Sequence, residues 1–256
     1  LKLKGPKLFL TATPEMSRYD EETETCITEK LTETIYGKQI DHISLSDAID
    51  QGCLCSYKIL AHNKPSTTNC FEHVSDLIHT YGRKKILIFY NRCEDAKKAL
   101  RHLKEKWSEN VWYIDGETTR KNREDIINKF EKADTGIIIN VNVLAEGVSI
   151  PCIDSILLMD KRNSIRALIQ ILGRGLRLYK KLSYEKQCCV MCIPIDCSDT
   201  LDIALSSLVQ DSKKSNRVAK NLLVEGFSKK ESSQLVQRFE KKLKIIEIAN
   251  SGLSVT

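Results

Sequence analysis

The clearest chemical pattern in the sequence is an amide and two guanidinium groups at helical spacing. Gln170, Arg174 and Arg177 stand at i, i+4 and i+7, so one continuous helix would place the three side chains on a single stripe. Such an array is planar and permanently charged, and it suits the oxygens of a phosphate group. Gly173 and Gly175 each cost a helix about 1 kcal/mol relative to alanine, which indicates that another group approaches closely. We therefore predict a phosphate-binding helix.

The alternative for this segment is a basic surface helix that binds no ligand. An apolar stripe argues against it, because the stripe would bury one side of the helix and hold the arginines in place; its residues are Ile165, Leu168, Ile169 and Leu172. Ser164 precedes the stripe and is a favourable N-cap residue. The sequence therefore predicts a packed helix with a basic outer side.

Short apolar runs alternate with helical periodicity through the middle of the chain. The runs lack polar alternation, as parallel strands covered on both faces do, and they span residues 8–10, 57–61, 86–90, 111–114, 137–139, 155–159 and 188–193. Amphipathic helices are predicted between them at residues 74–81, with Gly82 as C-cap, and at residues 96–107 and 126–130. This order of elements predicts an α/β fold with a parallel sheet flanked by helices.

Beyond residue 199 the sequence predicts helices and no strand. Residues 201–208 have helical periodicity, and residues 231–248 form one long amphipathic pattern with a basic face. That basic face fits a solvated surface better than a nucleic-acid contact.

Composition narrows the class of protein. A net charge of +6 over 256 residues is compatible with a polyanionic partner, and no apolar run reaches the length of a membrane span. Ten irregularly spaced cysteines favour an intracellular, reducing compartment, the cytoplasm rather than the nucleus. A strand would point Cys189 and Cys192 to opposite faces, so we expect no zinc site. The opening residues contain neither an initiator Met nor a signal peptide, which indicates a piece of a longer protein.

Residues 170–177 read Gln-x-x-Gly-Arg-x-x-Arg, which resembles the sixth signature motif of the superfamily-two helicases. Other segments resemble further motifs in the family's order: residues 10–14 the third, 88–92 the fourth, 113–118 the strand-loop that follows, and 140–151 the fifth. Residues 44–57 resemble the bridge between two motor domains. The resemblance covers about residues 6–195 and points to the restriction-enzyme-like subgroup, which has relatives in large DNA viruses.

The resemblance implies a RecA-like parallel sheet flanked by helices, with a C-terminal helical extension. It assigns residues 1–56 to the end of a first RecA-like domain and the bridge, residues 57–197 to a second RecA-like domain, and residues 198–256 to the extension. It also implies DNA or RNA as a partner. ATP and Mg²⁺ would be the cofactors, held mainly by an N-terminal RecA-like domain of the same protein.

The same resemblance implies roles for individual residues. Arg174 and Arg177 would be arginine fingers, and Gln170 would position the attacking water. The remaining roles are nucleotide binding by Glu146, Gly147, Ser149 and Gly173, nucleic-acid binding by Asn91, Arg92, Gly116, Thr118 and Asn140, and coupling by Thr11, Ala12 and Thr13.

The sequence departs from the family pattern at several points. Ser149 stands where an Asp is usual, and Asn142 stands where relatives often carry Arg or Asp. The chain contains no Gly-x-x-x-x-Gly-Lys-[Ser/Thr]. The acidic residues 20–22 follow the third motif instead of preceding it, so we expect a solvated loop there and no magnesium-binding box.

The resemblance therefore implies the C-terminal motor domain of an ATP-dependent helicase or translocase, inactive without its first domain. A second class is a helicase-derived nucleic-acid-binding scaffold that has lost catalysis. Retention of both arginines and Gln170 argues against that scaffold. A Rossmann-type enzyme fits less well, because no glycine-rich turn follows a predicted strand.

Overall fold

A computed structural model gives the fold of the chain. It describes residues 15–20, 25–30, 43–62, 70–107, 110–144, 149–160, 165–181, 184–194, 222–225 and 229–250. In chain order the elements are β1 (Glu15–Asp20), β2 (Thr25–Lys30), α1 (Leu45–Asp50), β3 (Ser56–His62), α2 (Cys70–His79), β4 (Lys85–Tyr90), α3 (Cys93–Trp107), β5 (Val111–Ile114), α4 (Arg120–Lys132), β6 (Gly136–Val141), β7 (Ser155–Leu158), α5 (Ile165–Gly175), β8 (Lys180–Lys181), β9 (Tyr184–Glu185), β10 (Cys188–Pro194), β11 (Leu222–Glu225) and α6 (Lys229–Asn250).

Seven strands form one sheet in the order β11-β3-β10-β7-β4-β6-β5, and every neighbouring pair is parallel. Two short antiparallel pairs, β1 with β2 and β8 with β9, lie outside this sheet. Because all seven strands run in the same direction, their carboxyl ends meet at one edge. Ligands of open α/β sheets bind at that edge.

The core lies on both faces of the sheet, which explains why the strands are apolar without alternation. Every residue of β4 and of β6 is buried, as expected for strands that are covered on both sides. One cluster combines the sheet with α2 and α3 and includes Val74, Leu77 and Leu103. The cluster on the other face includes Phe130 of α4, Leu172 of α5 and Phe239 of α6.

Local signals set the ends of several helices. Gly82 has a φ of 62°, three residues after the end of α2, and this left-handed conformation suits a glycine at a helix terminus. The Thr119 side chain accepts a hydrogen bond from the Asn122 amide at 3.3 Å and caps the start of α4. The sequence had predicted the first of these signals, at Gly82.

The predicted parallel α/β sheet flanked by helices is confirmed, and so is the long C-terminal helix, which spans Lys229–Asn250. The prediction that no strand follows residue 199 is wrong. Leu222–Glu225 pairs in parallel with β3 and extends the sheet by one strand. Residues 222–224 form an apolar run of only three residues, and the pairing with β3, far away in sequence, determines that it is a strand.

A solvated loop was predicted at the acidic residues 20–22. Glu15–Asp20 pairs antiparallel with Thr25–Lys30, so Asp20 is the last residue of a strand, while residues 21 and 22 lie outside the described residues. The apolar run at residues 8–10 and the helix predicted at residues 201–208 lie outside the described residues. Among the described helices, none is both long enough and apolar enough to cross a membrane.

Candidate nucleic-acid and phosphate site

The loops at the carboxyl ends of three neighbouring strands carry exposed residues that the sequence had singled out. Asn91 and Arg92 follow β4, Gly116 follows β5, and Asn142 follows β6; all four are exposed. Asp160 follows β7 and is half-buried. Because β7, β4, β6 and β5 are consecutive in the sheet, these loops lie side by side along one edge.

The backbone of Asn91 is held from two sides by neighbouring loops. The Asn91 amide donates to Asp160 Oδ2, and the Asn91 carbonyl accepts from Asn142 Nδ2 at 3.4 Å. Asn142 itself has a φ of 57°, a left-handed conformation that asparagine tolerates better than most residues. The three loops after β6, β4 and β7 are thus joined through one residue.

The loop after β5 is a tight turn organised by Asp115. Its Oδ1 accepts from the amides of Glu117 and Thr118 at 3.1 Å each and from the Thr118 hydroxyl at 3.0 Å, while Oδ2 accepts from the Tyr113 hydroxyl at 3.0 Å. Burial raises the pKa of the Asp115 carboxyl, but these hydrogen bonds outweigh it and hold the pKa below its ordinary value. The carboxylate is therefore a structural anchor of the turn.

This turn changes the role predicted for Thr118. Its hydroxyl donates to Asp115 Oδ1 and also accepts from the Asp115 amide at 3.0 Å. The hydroxyl proton is therefore already used within the turn. Gly116 is exposed, and α4 starts four residues after it, at exposed Arg120. A helix N-terminus favours anions, so the backbone of this loop is better placed than Thr118 for a phosphate contact.

Asn140 does not fit the predicted role of a direct nucleic-acid contact. Its side chain is fully buried, and its Oδ1 accepts from the amides of Val143 and Leu144 at 3.2 and 2.9 Å. The strand runs to Val141, two residues further than the apolar run had indicated. The Asn140 side chain therefore caps the turn after β6 from inside the protein and cannot reach a bound strand.

The helix that carries the amide and guanidinium groups is α5. Gln170 and Arg174 lie on it and are half-buried, and Leu168, Ile171 and Leu172 pack it against the sheet. The helix ends at Gly175, so the prediction that Arg177 shares its stripe is wrong. Arg177 instead forms an isolated antiparallel bridge with Leu54, which holds it next to the segment after α1.

The two glycines of α5 have different surroundings. A Cβ added at Gly175 would lie 2.3 Å from Cys189 Sγ and 3.0 Å from Ile156 Cδ1, so the predicted close approach is the contact between helix and sheet. A Cβ at Gly173 would meet nothing within 4 Å, and Gly173 is exposed. The backbone near Arg174 is thus open to a group from outside the chain.

A buried lysine that the sequence did not indicate lies beneath this region. The Lys186 side chain is 3% exposed, and its Nζ donates to the carbonyls of Pro151, Ile153 and Gly175 at 2.7, 3.0 and 2.9 Å. Burial lowers the pKa of the Lys186 ammonium from its usual value. Lys186 joins the end of α5 to the turn that follows the fifth-motif segment. A single Lys between β9 and β10 carries no sequence signal for such a role.

Several predicted site residues lie outside the described part of the chain: Thr11, Ala12, Thr13, Glu146 and Gly147. Ser149 is described and exposed. Cys189 and Cys192 belong to core clusters on opposite faces of the sheet. Where the structure describes the chain, no three His, Cys, Asp or Glu side chains form a group that could hold a metal ion.

The fold and this edge define a RecA-like α/β domain with loops suited to phosphates. Residues 69–179 match the family model described as the helicase conserved C-terminal domain. Over these residues the chain is similar to the helicase conserved C-terminal domain, and its fold resembles the second domains of superfamily-two helicases.

Relatives of known sequence agree with this assignment. A Saccharomyces cerevisiae protein named as an ATP-dependent helicase, IRC3, is 40% identical over 70 residues, which are 27% of this chain and 10% of that protein. UvrABC system protein B of Mycoplasma mobile is 31% identical over 116 residues, 43% of this chain and 18% of that protein. The chain thus spans less than a fifth of these curated relatives. ATP-dependent helicase activity belongs to full-length proteins of this family.

Solved structures confirm the fold. The Type ISP restriction-modification enzyme LlaBIII, solved bound to DNA, superposes with a TM-score of 0.60 at 15% identity, over 94% of this chain and 20% of that enzyme. A fragment named as an HsdR subunit of a type I restriction enzyme from Vibrio vulnificus YJ016 gives a TM-score of 0.56 at 22% identity. That match covers 67% of this chain and 38% of the fragment.

Proposed function

We propose that the chain is the C-terminal motor domain of an ATP-dependent nucleic-acid helicase or translocase. It contributes arginine fingers and strand contacts, and it is inactive without an N-terminal RecA-like domain. One observation carries this proposal: a single α/β unit combines Arg174, on a helix packed against the sheet, with exposed Asn91, Arg92 and Gly116 at the carboxyl edge of that sheet. The names of the relatives are consistent with it.

Phosphoryl transfer needs a phosphate cradle, a magnesium ligand, a positioned water and stabilisation of developing charge. The residues of this chain fit the last two requirements. Arg174 and Arg177 are half-buried guanidiniums, and open space beside Gly173 lets a phosphate group approach. Gln170 is half-buried one helical turn before Arg174 and would position the water. ATP, when bound by the other domain with Mg²⁺, supplies the phosphoryl group.

Nucleic acid would bind along the carboxyl edge, mainly through its phosphates. Arg92 provides a charge, Asn91 an amide, and the exposed backbone at Gly116 precedes the start of α4. Contacts of this kind fix the position of a strand without reading its bases. We therefore expect binding to be independent of base sequence and to weaken as the salt concentration rises.

The test is ATP hydrolysis by the full-length protein, with and without DNA or RNA, comparing the wild type with Arg174→Ala. We expect nucleic acid to stimulate hydrolysis and the substitution to reduce kcat by about a thousandfold or more, while ATP binding persists. Arg101→Ala is the matched control, because Arg101 is exposed on α3 and belongs to no predicted motif. The preferred polymer follows from which one stimulates turnover.

Three outcomes would contradict the proposal. If the full-length protein does not hydrolyse ATP, or if Arg174→Ala behaves like Arg101→Ala, the scaffold without catalysis is the better interpretation. Tight binding of Mg-ATP by the 256-residue chain alone, measured by isothermal titration, would contradict the shared site. Eight cysteines of the described residues have free thiols, and these support our further proposal of an intracellular, reducing compartment, the cytoplasm before the nucleus.

A further inference from the structure

Asp160 is a carboxylate on the edge at which we place a polyanion. It follows β7 directly and is half-buried, and its Oδ2 lies 2.5 Å from the amide nitrogen of Asn91. A negative charge here repels phosphate, so we expect a benefit to binding that offsets this repulsion. The hydrogen bond to Asn91 provides one, because it positions Asn91 and Arg92, which form the exposed segment after β4.

The contact continues the pairing of two strands beyond the point where their backbones separate. β4 and β7 pair up to Phe89 and Leu158, and the Met159 amide then donates to the Phe89 carbonyl at 3.1 Å. One residue further on, the Asp160 side chain takes over this function by accepting from the Asn91 amide. The end of β4 is thereby fixed relative to β7.

This fixation determines the position of Arg92. Two residues separate the end of β4 from the start of α3 at Cys93, and the Arg92 carbonyl already accepts from the Ala96 amide at 3.2 Å. With Asn91 held by Asp160 on one side and by Asn142 on the other, the backbone of this connection has little freedom. Loss of the Asp160 contact would release Asn91 and Arg92 together.

We propose that Asp160 is a positioning residue for nucleic-acid binding: it holds the Asn91–Arg92 connection in the conformation that contacts the phosphates of a bound strand. This inference rests on the proposed function. If charge alone mattered, removal of a carboxylate beside a polyanion would tighten nucleic-acid binding. The inference predicts the opposite result, that removal of the Asp160 carboxylate weakens nucleic-acid binding.

Two substitutions separate the hydrogen bond from the charge. Asp160→Ala removes both, and Asp160→Asn removes the charge but keeps an oxygen that can accept from the Asn91 amide. Asp134→Ala is the matched control for charge: Asp134 is exposed just before β6, at the opposite, amino edge of the sheet. All three variants change the net charge of the chain by one unit.

The measurement is fluorescence anisotropy of a labelled single-stranded oligonucleotide, as DNA and as RNA, titrated with the whole 256-residue chain at several salt concentrations. We expect Asp160→Ala to raise Kd by about tenfold, the loss of one charge-assisted hydrogen bond. Asp160→Asn should stay within about twofold of the wild type, because it keeps an acceptor. The salt dependence should be unchanged in both, whereas Arg92→Gln should lower its slope by about one.

The outcomes separate the inference from the function on which it rests. If the wild type binds DNA or RNA and both Asp160 variants bind as tightly as Asp134→Ala or more tightly, Asp160 acts through charge and the inference is overturned. If the wild type binds neither polymer, the proposed function fails, and this inference with it. Thermal unfolding of each variant excludes loss of fold. If Asp160→Ala does not fold, Asn142→Gly removes the other side-chain contact to Asn91 without a change of charge. It should also raise Kd, and unchanged binding by that variant would overturn the inference.

Discussion

Replacement of Lys186 by methionine is expected to destabilise the domain strongly. The side chain is buried, and its ammonium donates to the carbonyls of Pro151, Ile153 and Gly175. Methionine has a similar length but donates no hydrogen bond, so the three carbonyls lose this donor. The change therefore weakens the connection between the end of α5 and the turn before β7.

Two opposing contributions set the magnitude of this effect. A hydrogen bond to a charged group contributes about 1.5–3 kcal/mol, so three contribute roughly 5–9 kcal/mol. Burial of the ammonium costs several kcal/mol, and the lowered pKa of Lys186 reflects that cost. We therefore expect a net loss of about 3 kcal/mol in the free energy of unfolding, or a fall in Tm of roughly 6–12 °C for a chain of this size.

Thermal unfolding followed by far-UV circular dichroism measures this loss, with Lys180→Met as the matched control. Lys180 Nζ lies 3.0 Å from Glu185 Oε2, and both side chains are more than half exposed, so their ion pair contributes less than about 1 kcal/mol. If Lys186→Met melts within about 1 °C of Lys180→Met, the cost of burial equals the gain from hydrogen bonding, and the reasoning is refuted.

The remaining predictions concern α5 and the turn after β5. Gly175→Ala should lower the free energy of unfolding by about 1–3 kcal/mol, because its Cβ would overlap Cys189 Sγ. Gly173→Ala places its Cβ in open space and should raise the free energy of unfolding by up to about 1 kcal/mol. Chemical denaturation of the two variants measures this difference, and equal effects would contradict the difference in packing. Asp115 has a lowered pKa, so its carboxylate stabilises the fold above about pH 3.8, and this contribution is lost as the pH falls further. The Tm difference between wild type and Asp115→Asn should therefore shrink below that pH, and a constant difference would show that the charge contributes nothing.

The sheet could be predicted from sequence because its central strands contain uninterrupted apolar runs. β4 and β6 are buried along their whole length, and runs of consecutive apolar residues within each mark them without an alignment. β11 could not be predicted in the same way. Its three apolar residues do not by themselves distinguish a strand from a helix, and its pairing with β3 is a contact between residues more than 150 positions apart.

The site was predictable where a polar residue follows a strand directly. Asn91 and Gly116 lie at the carboxyl edge because they come after apolar runs that end where the sequence indicates. The rule does not apply to Asn140, because β6 continues past it to Val141 and the Asn140 side chain is buried in the core. Asp160 also comes just after an apolar run, so the same rule could have found it.

Arg177 shows why helical spacing alone was insufficient. The last carbonyls of α5 bond to groups from distant segments: Gly175 O accepts from Lys186 Nζ and Leu176 O from the Cys55 amide at 2.9 Å. These contacts end the helix before Arg177 and hold that residue in its bridge with Leu54. The two arginines are therefore positioned by different elements: Arg174 lies on α5, and Arg177 pairs with the segment after α1. A displacement of that segment would move Arg177 without moving Arg174, so the two guanidiniums need not reach a phosphate together.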